Sequence, residues 1–367
     1  MDERIFVSWD FIEDFMITAF KKIGVPEKDA KICADILMES DRRGIESHGV
    51  NRFKPIYIDR IKAGIQKPIT KIDILRETAT TAVLDANDGM GMVVSHKAMK
   101  LAIEKAKTYG MGMVAVRNST HYGIAGYYAT MASEAGMIGI TGTNARPSIA
   151  PTFGVENMLG TNPLTFGIPT DEEFPFVLDC ATSITQRGKI EYFAKTGKST
   201  PSGMVVGRDG LPKTDSNQIL KDLVNNQVAL APLGGIGEEL AGYKGYGYAT
   251  VVEILSSALQ AGSFLRMLSG IDENNNIKPY HLGHFFIAID PEAFMGLDSF
   301  KKTTGNILRS LRASTKAPGE ERIYTAGEKE YLVWLERKEK GVPLNQACIE
   351  DIKKVNEMLG LEKKLPF

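Results

Sequence analysis

The chain has 367 residues, 43% hydrophobic and 24% charged, with a formal net charge of −1. That balance is ordinary for a globular protein with room for two or three lobes, and it leaves no global field to draw the chain to nucleic acid or an anionic membrane. Cys33, Cys180 and Cys348 are far apart and odd in number, which argues against a disulfide framework and fits a reducing cytoplasm. No apolar run has the length of a membrane span, and the N-terminus lacks the basic-then-apolar pattern of a signal peptide.

In chain order, Trp9 to Ile23 and Glu27 to Ser40 carry apolar residues at helical spacing. Pro26 stands near the start of the second segment, and Gly44 terminates it after Arg42 and Arg43. Ser47 is placed to cap a third helix running to about Ile61, with Gly64 after it. Thr70 to Ile74 and Thr80 to Asp85 read as a β-hairpin. Val93 to Thr108 reads as a helix, Met113 to Arg117 as a buried strand, Ala125 to Glu134 as a helix and Ile138 to Thr143 as a strand. After an irregular stretch come strands at Thr165 to Ile168 and Phe174 to Asp179, a helical pattern at Thr185 to Phe193, and a loop excursion from Lys195 to Lys213. Tyr248 to Ala261 reads as an apolar helix and His284 to Asp290 as a strand. Asp298 to Arg312, Glu328 to Lys338 and Asn345 to Met358 read as amphipathic helices. The fold class expected is α/β. A mixed domain spans 75–296, and residues 1–74 and 297–367 form one helical domain from both chain ends.

Several segments have the residue types that chemistry needs. Asp41-Arg-Arg-Gly-Ile-Glu-Ser-His-Gly-Val-Asn-Arg52 places His48 between small neighbours, with a fixed cation at Arg52. Near a helix N-terminus the dipole disfavours imidazolium, so His48 is expected to be neutral and able to accept a proton. Asp41 to Glu46 read as a helix end and its solvated cap. His121, in Ser119-Thr-His-Tyr-Gly123, follows a strand and is suited to ligand contact or to capping the next helix. Gly242-Tyr-Lys-Gly-Tyr-Gly247 lies before the apolar helix and offers free N–H groups and Lys244 to an anion. A flexible turn is the alternative. Leu178-Asp-Cys-Ala-Thr-Ser183 ends a strand with groups able to bond ribose or phosphate, or to form a local turn. His281 and His284 lack the acidic or thiol partners of a metal site, so none is expected. The Met90-Gly-Met92 and Gly110-Met-Gly-Met113 clusters read as core filler, and Cys180 as a small buried residue. No G-x-G-x-x-G stands between a strand and a helix, so a dinucleotide would be held in some other way.

Seven elements in order resemble the malate/L-lactate dehydrogenase family that is distinct from the Rossmann-type enzymes. They are Glu46-Ser-His-Gly-Val-Asn-Arg52, Asn118-Ser-Thr-His-Tyr-Gly123, Gly160-Thr-Asn-Pro163, Asp179-Cys-Ala-Thr-Ser183 with Arg187-Gly-Lys189, Pro232-Leu-Gly-Gly235, Gly242-Tyr-Lys-Gly-Tyr-Gly247, and Gly283-His-Phe-Phe286 through Asp290-Pro291. That family also includes ureidoglycolate dehydrogenase, diketogulonate reductase and cyclic imino acid reductases. The resemblance implies a non-Rossmann nucleotide domain on a mixed sheet, NAD or NADP as cofactor, a small 2-hydroxy or 2-oxo acid as substrate, and a homodimer. It implies His48 and His121 as proton-transfer groups, and Arg52 and Ser47 as substrate contacts. His121, Asn144, Asp179, Ala181, Thr182, Lys244, Gly245, Gly327 and Glu328 are implied as cofactor contacts. Ile236 to Ala241 stand as an insertion before the Gly-Tyr-Lys-Gly element, Ala326 stands where the family often has proline, and Ser202 to Val206 lack an expected tryptophan. Imine reduction and ureidoglycolate oxidation are alternatives within the family. A pyridoxal phosphate enzyme using Lys244 is an alternative of another class.

Overall fold

The computed structural model describes residues 4–367. A short strand, β1 (Ile5–Val7), leads into α1 (Trp9–Lys22) and α2 (Glu27–Arg42). Ser8 caps α1 by accepting from Phe11 N–H, while Ile12, Phe15, Met16, Ala19 and Phe20 bury one face at helical spacing. A continuous helical run follows: α3 (Val50–Arg52), a π-helical stretch (Phe53–Ile58) and α4 (Asp59–Lys62). The N-cap of this run is Gly49, not Ser47. The capping oxygen comes instead from Asp41, which accepts from Val50 N–H at 2.7 Å across the reversal of the chain.

The middle of the chain contains β2 (Asp73–Glu77), β3 (Thr81–Asp85), α5 (Gly91–Tyr109), β4 (Met111–Ser119), α6 (Ala125–Glu134), β5 (Ile138–Thr143), β6 (Leu164–Ile168), β7 (Phe176–Cys180) and α7 (Arg187–Lys195). The hairpin starts later than its composition suggests, because the Thr70 hydroxyl accepts from Met90 N–H and is held outside the sheet. A small two-stranded sheet joins β8 (Val205–Gly207), inside the expected loop excursion, to β9 (Val228–Leu230). The amphipathic helix α8 (Ser216–Val224) lies between them, capped by Asp215. Neither α8 nor β9 was expected.

Next come α9 (Gly242–Leu255), β10 (Leu282–Ile289), α10 (Leu297–Arg312), α11 (Glu328–Lys340), β11 (Val342–Leu344) and α12 (Gln346–Met358). The glycine-rich segment before Tyr248 is the first turn and a half of α9, not a loop ahead of it. Gly242 and Gly245 are there because a Cβ would come within 2.0 Å of Gly235 O and 2.2 Å of Leu233 O. Close approach of backbone is the reason for those glycines.

The main sheet has seven strands in the order β2-β3-β4-β10-β5-β6-β7. Only β3 and β4 are parallel, joined through α5; the other pairs are antiparallel, so the sheet is mixed. The late strand β10 enters between β4 and β5, and its Phe286 and Ala288 join the main core. Helix α5 packs on β4 and β10, and α6 on β5 and β6.

The two chain ends meet. β1 pairs antiparallel with β11, and Ile349, Ile352 and Val355 of α12 share the core of α1 and α2. Trp9 Nε1 donates to Arg337 O at 3.0 Å. No helix among the described residues is long and apolar enough to cross a membrane.

Candidate active site

The loop after α2 is fixed at both ends before it presents His48. Gly44 turns with φ of 78°, Ile45 N–H donates to Ser40 O at 2.8 Å, and His48 N–H donates to Ile45 O at 3.0 Å. Beneath the loop lies Asp41, 3% exposed. A Cβ at Gly49 would come within 2.3 Å of its carboxylate, so only glycine lets the loop close over it. Burial pushes the Asp41 carboxyl up to about 7. The Val50 N–H opposes this, Glu46 adds to it and Arg337 opposes it. Arg337 of α11 donates to Asp41 O and pairs with Glu46. Of the charged stretch expected to be a solvated cap, Asp41 is a buried support, while Arg42 to Glu46 remain partly or fully exposed; Asp41 and Glu46 are tied to Arg337 near the far end of the chain.

His121 reaches the same place from β4. Thr120 makes the crossing rigid: its hydroxyl donates to Gly89 O and accepts from Gly91 N–H, both at 2.9 Å. The His48 and His121 rings are nearly parallel, 5.8 Å apart between centroids. Buried Tyr57, from the π-helical stretch, lies 2.7 Å from His121 Nδ1, and Gly123 N–H donates to the same nitrogen at 3.2 Å. An amide N–H can only donate, so Nδ1 is the acceptor and the proton of neutral His121 resides on Nε2. Ser47 Oγ lies 2.9 Å from His48 Nδ1. Burial pushes His48 down to about 4, with the Arg52 charge adding to it. Burial also holds His121 well below its ordinary value, followed by the charges of His48, Arg60 and Arg52. Both rings are neutral at pH 7. Arg52 anchors its Nε on Ser47 O at 2.6 Å and has no ion pair among the described residues, so its terminal nitrogens are available.

A cleft of about 610 Å³ opens beside His48, lined by Ser47, Tyr122, Asp179, Ala181, Ser183 and Thr185 among others. A second cleft of about 290 Å³ shares Ile45, Ile124, Asp179 and Glu330 with it and continues to Gly327. Together they form an elongated groove. The buried hydroxyls of Ser183 and Thr185 have no partner among the described residues, and both line the larger cleft. The N-terminus of α7 has no side-chain cap, and Gln186 and Lys189 line the same cleft. Free hydroxyls, an uncapped helix end and a cation suit a phosphate-bearing ligand.

The expected residues separate into two groups. Ser47, His48, Asp179, Ala181 and Gly327 line the groove. His121 is stacked on His48 and Arg52 is anchored on Ser47 O, though neither is among the residues lining the two clefts. The others have different occupations. Asn144 is fully buried; its carbonyl accepts from Gly283 N–H at 2.8 Å and its amide donates to Ser263 O at 3.1 Å. The Thr182 hydroxyl donates to Thr161 O and Asn162 O and holds that turn. Glu328 is 1% exposed; burial raises its pKa, but the Thr325 N–H and the charges of Arg322 and Arg312 outweigh this and hold it low. Lys244 stands exposed in the first turn of α9, with Nζ 5.9 Å from the Tyr243 ring, and lines neither cleft; Gly245 seats that turn on Leu233. The pyridoxal phosphate alternative would need Lys244 in the groove, and it lines neither cleft.

Asp179 accepts from Gly126 N–H at 2.6 Å and from the Thr165 hydroxyl at 3.1 Å, so it also caps α6 from β7. Burial raises its pKa against those two bonds. Cys180, expected to be buried, is exposed at the end of the edge strand β7. Met90 and Met92 are core residues as expected, but Met111 is 48% exposed. Tyr57, Asp41, Thr185 and Lys189 were missed. For Lys189 the Arg-Gly-Lys element was a usable signal; for Tyr57 and Asp41 there was none, because their roles depend on contacts across the fold.

The groove thus brings a neutral histidine pair close to an arginine without an ion-pair partner among the described residues. Comparison with known proteins identifies the family. The sequence profile described as malate/L-lactate dehydrogenase matches residues 7–353. The chain is 43% identical over 363 residues to the malate dehydrogenase of Pyrococcus horikoshii, covering 99% of this chain and 98% of that one. It is 39% identical to the L-sulfolactate dehydrogenase of Methanocaldococcus jannaschii, covering 94% and 95%. The crystal structure of malate dehydrogenase from Entamoeba histolytica superposes with a TM-score of 0.94 at 46% identity, over 100% of both chains. The chain belongs to the malate/L-lactate dehydrogenase family and is an oxidoreductase acting on the CH–OH group of 2-hydroxy acids. Membership implies a nicotinamide cofactor.

Proposed function

We propose that the enzyme interconverts a small 2-hydroxy acid and its 2-oxo acid with NAD or NADP, and that His48 transfers the proton. The observation that carries this is the neutral His48 ring at the groove wall, next to an Arg52 without an ion-pair partner. The cofactor, when bound, supplies the hydride acceptor or donor. Ser183, Thr185, Lys189 and the start of α7 would hold its phosphates and ribose, and Asp179, Ala181 and Gly327 would line its path. This is a non-Rossmann arrangement, built on residues 75–296, with residues 1–74 and 297–367 as the helical partner domain.

Arg52 would clamp the substrate carboxylate with two parallel bonds. In the oxidising direction neutral His48 accepts the 2-hydroxyl proton. In the reducing direction its protonated form donates to the ketone oxygen. A carboxylate on Arg52 cancels part of the charge that depresses His48, so substrate binding raises the affinity of the ring for its proton. His121 stands next to His48, with the Gly123 N–H fixing its tautomer and the Tyr57 hydroxyl donating to the same nitrogen.

A homodimer is part of this reading. Tyr248, Val251 and Ile254 form an exposed stripe along α9, with Tyr243, Leu240 and Leu259 beside it, and a second copy would cover it. The three unpaired cysteines suit the cytoplasm.

The test is absorbance of NADH and NADPH against oxaloacetate, pyruvate, sulfopyruvate and cyclic imines. Turnover of a 2-oxo acid is expected. Turnover of imines alone would move the assignment to the imine-reducing branch.

A further inference from the structure

The turn Gly160-Thr-Asn-Pro163 sends Thr161 and Pro163 to the wall of the larger cleft. Asn162 between them is fully buried and has a left-handed backbone, with φ of 34°. Its amide donates to the Glu253 carboxylate at 2.8 Å and to Ala249 O at 3.1 Å, both on α9. Two acceptors on the same side fix which end of the amide faces the helix. Glu253 is 5% exposed and has no ion-pair partner among the described residues. Its other oxygen accepts from Leu265 N–H at 2.9 Å, and Leu265 is itself left-handed, with φ of 48°. Burial raises the pKa of Glu253, and the Leu265 N–H, the Asn162 amide and the Asn144 amide oppose this. A buried carboxylate is tolerated only where donors meet its oxygens, so Glu253 and the two segments it bonds hold one another in place.

The far side of the turn reaches the groove. The Thr182 hydroxyl donates to Asn162 O at 2.9 Å and to Thr161 O at 3.2 Å, and Thr182 N–H donates to Thr161 O at 3.0 Å. These bonds carry the β6–β7 pairing past its last pair, Leu164 and Cys180. Ser183, next in the chain, and Thr185 present the unpartnered hydroxyls of the larger cleft. Glu253 lines neither cleft.

We propose that Glu253 is a positioning residue for the cofactor: its carboxylate fixes the 160–163 turn on α9, and the turn, through Thr182, sets the groove wall that carries Ser183. Both bonds to it come from N–H donors, so a carboxylate is needed; a glutamine would turn its own NH2 against one of them. This rests on the dehydrogenase reading and adds a residue that lies outside every cofactor motif of the sequence.

The test measures Kd for NADH or NADPH, whichever the wild type binds, by fluorescence, and kcat at saturating cofactor. Glu253→Gln and Asn162→Gly, which keeps the positive φ, should each raise Kd roughly 10-fold, the effect of one bond to a charged group. Turnover at saturating cofactor and KM for the 2-oxo acid should stay within about threefold. Thr182→Val should weaken binding to a similar extent, and Thr182→Ser, which keeps the hydroxyl, should restore it. Glu253→Gln with Thr182→Val should bind within about twofold of the weaker single variant, because both act on one turn, whereas separate structural damage would multiply to about 100-fold. If Glu253→Gln does not fold, Asn162→Gly cuts the same link and takes its place in the cycle. An unchanged Kd in Glu253→Gln or Asn162→Gly, or a multiplied loss in the double variant, overturns the inference and leaves the dehydrogenase reading standing. Failure of the wild type to bind either cofactor removes both.

Discussion

His284 and the His48–His121 pair are both buried, and burial lowers the pKa in both places. His284 sits in the central strand β10, with the Tyr122 ring stacked 4.6 Å away. Its Nδ1 is 2.7 Å from the Thr143 hydroxyl and its Nε2 is 2.8 Å from the Ser119 hydroxyl. Thr143 already donates to the carbonyls of Asn144 and Gly283, so it accepts from Nδ1, and Ser119 donates to Nε2. That ring is saturated, and burial pushes it down to about 3. In the pair, His48 lines the groove and His121 keeps Nε2 out of any protein bond among the described residues. A depressed pKa does not distinguish a structural histidine from a chemical one. Unfilled hydrogen-bonding capacity facing a cleft does.

The contrast can be broken most sharply at Arg52. Arg52→Gln should lower kcat/KM by about 10²–10³ through loss of the carboxylate clamp, as judged by steady-state kinetics, with the unfolding midpoint little changed. His284→Ala should do the reverse. It leaves two buried hydroxyls and a cavity, so urea unfolding should show a loss of about 2–4 kcal/mol, while the folded fraction keeps its turnover. Equal activity losses in the two variants would erase the distinction between the two regions.

Asp41 adds a test in pH. Its folded pKa, near 7, lies above the ordinary value of 3.8, so between those values the folded state holds a proton that the unfolded chain has lost. Its contribution to stability is therefore lost as pH rises from about 4 to 7. His48 has the opposite sign: its folded value, about 4, lies below 6.5, so stability is lost as pH falls through that window. Asp41→Asn should remove the first slope and gain on the order of 4 kcal/mol on the wild type between pH 4 and 7.5, measured by urea titration at each pH. A parallel pair of stability curves would show that Asp41 is not the buried group described. The smallest effect is expected at Tyr57. Tyr57→Phe should cut kcat by about 10-fold through loss of one oriented hydrogen bond, with KM for the acid nearly constant.

Much of the scaffold was legible because apolar periodicity and caps act locally. Helices α1, α2 and α6 and strand β5 follow directly from their spacing. The errors came where distant backbone decides local structure. Ser47 has the chemistry of a cap, but Asp41 supplies it through the chain reversal. Glycine's low helix propensity made Gly242 to Gly247 read as a loop, and packing on Leu233 and Gly235 made it helix. The π-helical stretch leaves no mark in a pattern that Pro55 interrupts. At the site, His48, His121 and Arg52 were visible as reactive types in a polar joint. Thr182 stood in a matching motif, and the bonds that its hydroxyl and the side chain of Asn144 make within the fold join residues far apart in sequence, which no local pattern reveals.

The central claim is that His48 moves the proton without holding the cofactor. It is tested by measuring, for His48→Asn, both NADH affinity from fluorescence quenching and single-turnover reduction of oxaloacetate. Affinity should stay within about threefold while the chemical step slows by on the order of 10³. Near-normal turnover, or a loss confined to NADH binding, would contradict it and transfer the proton to His121.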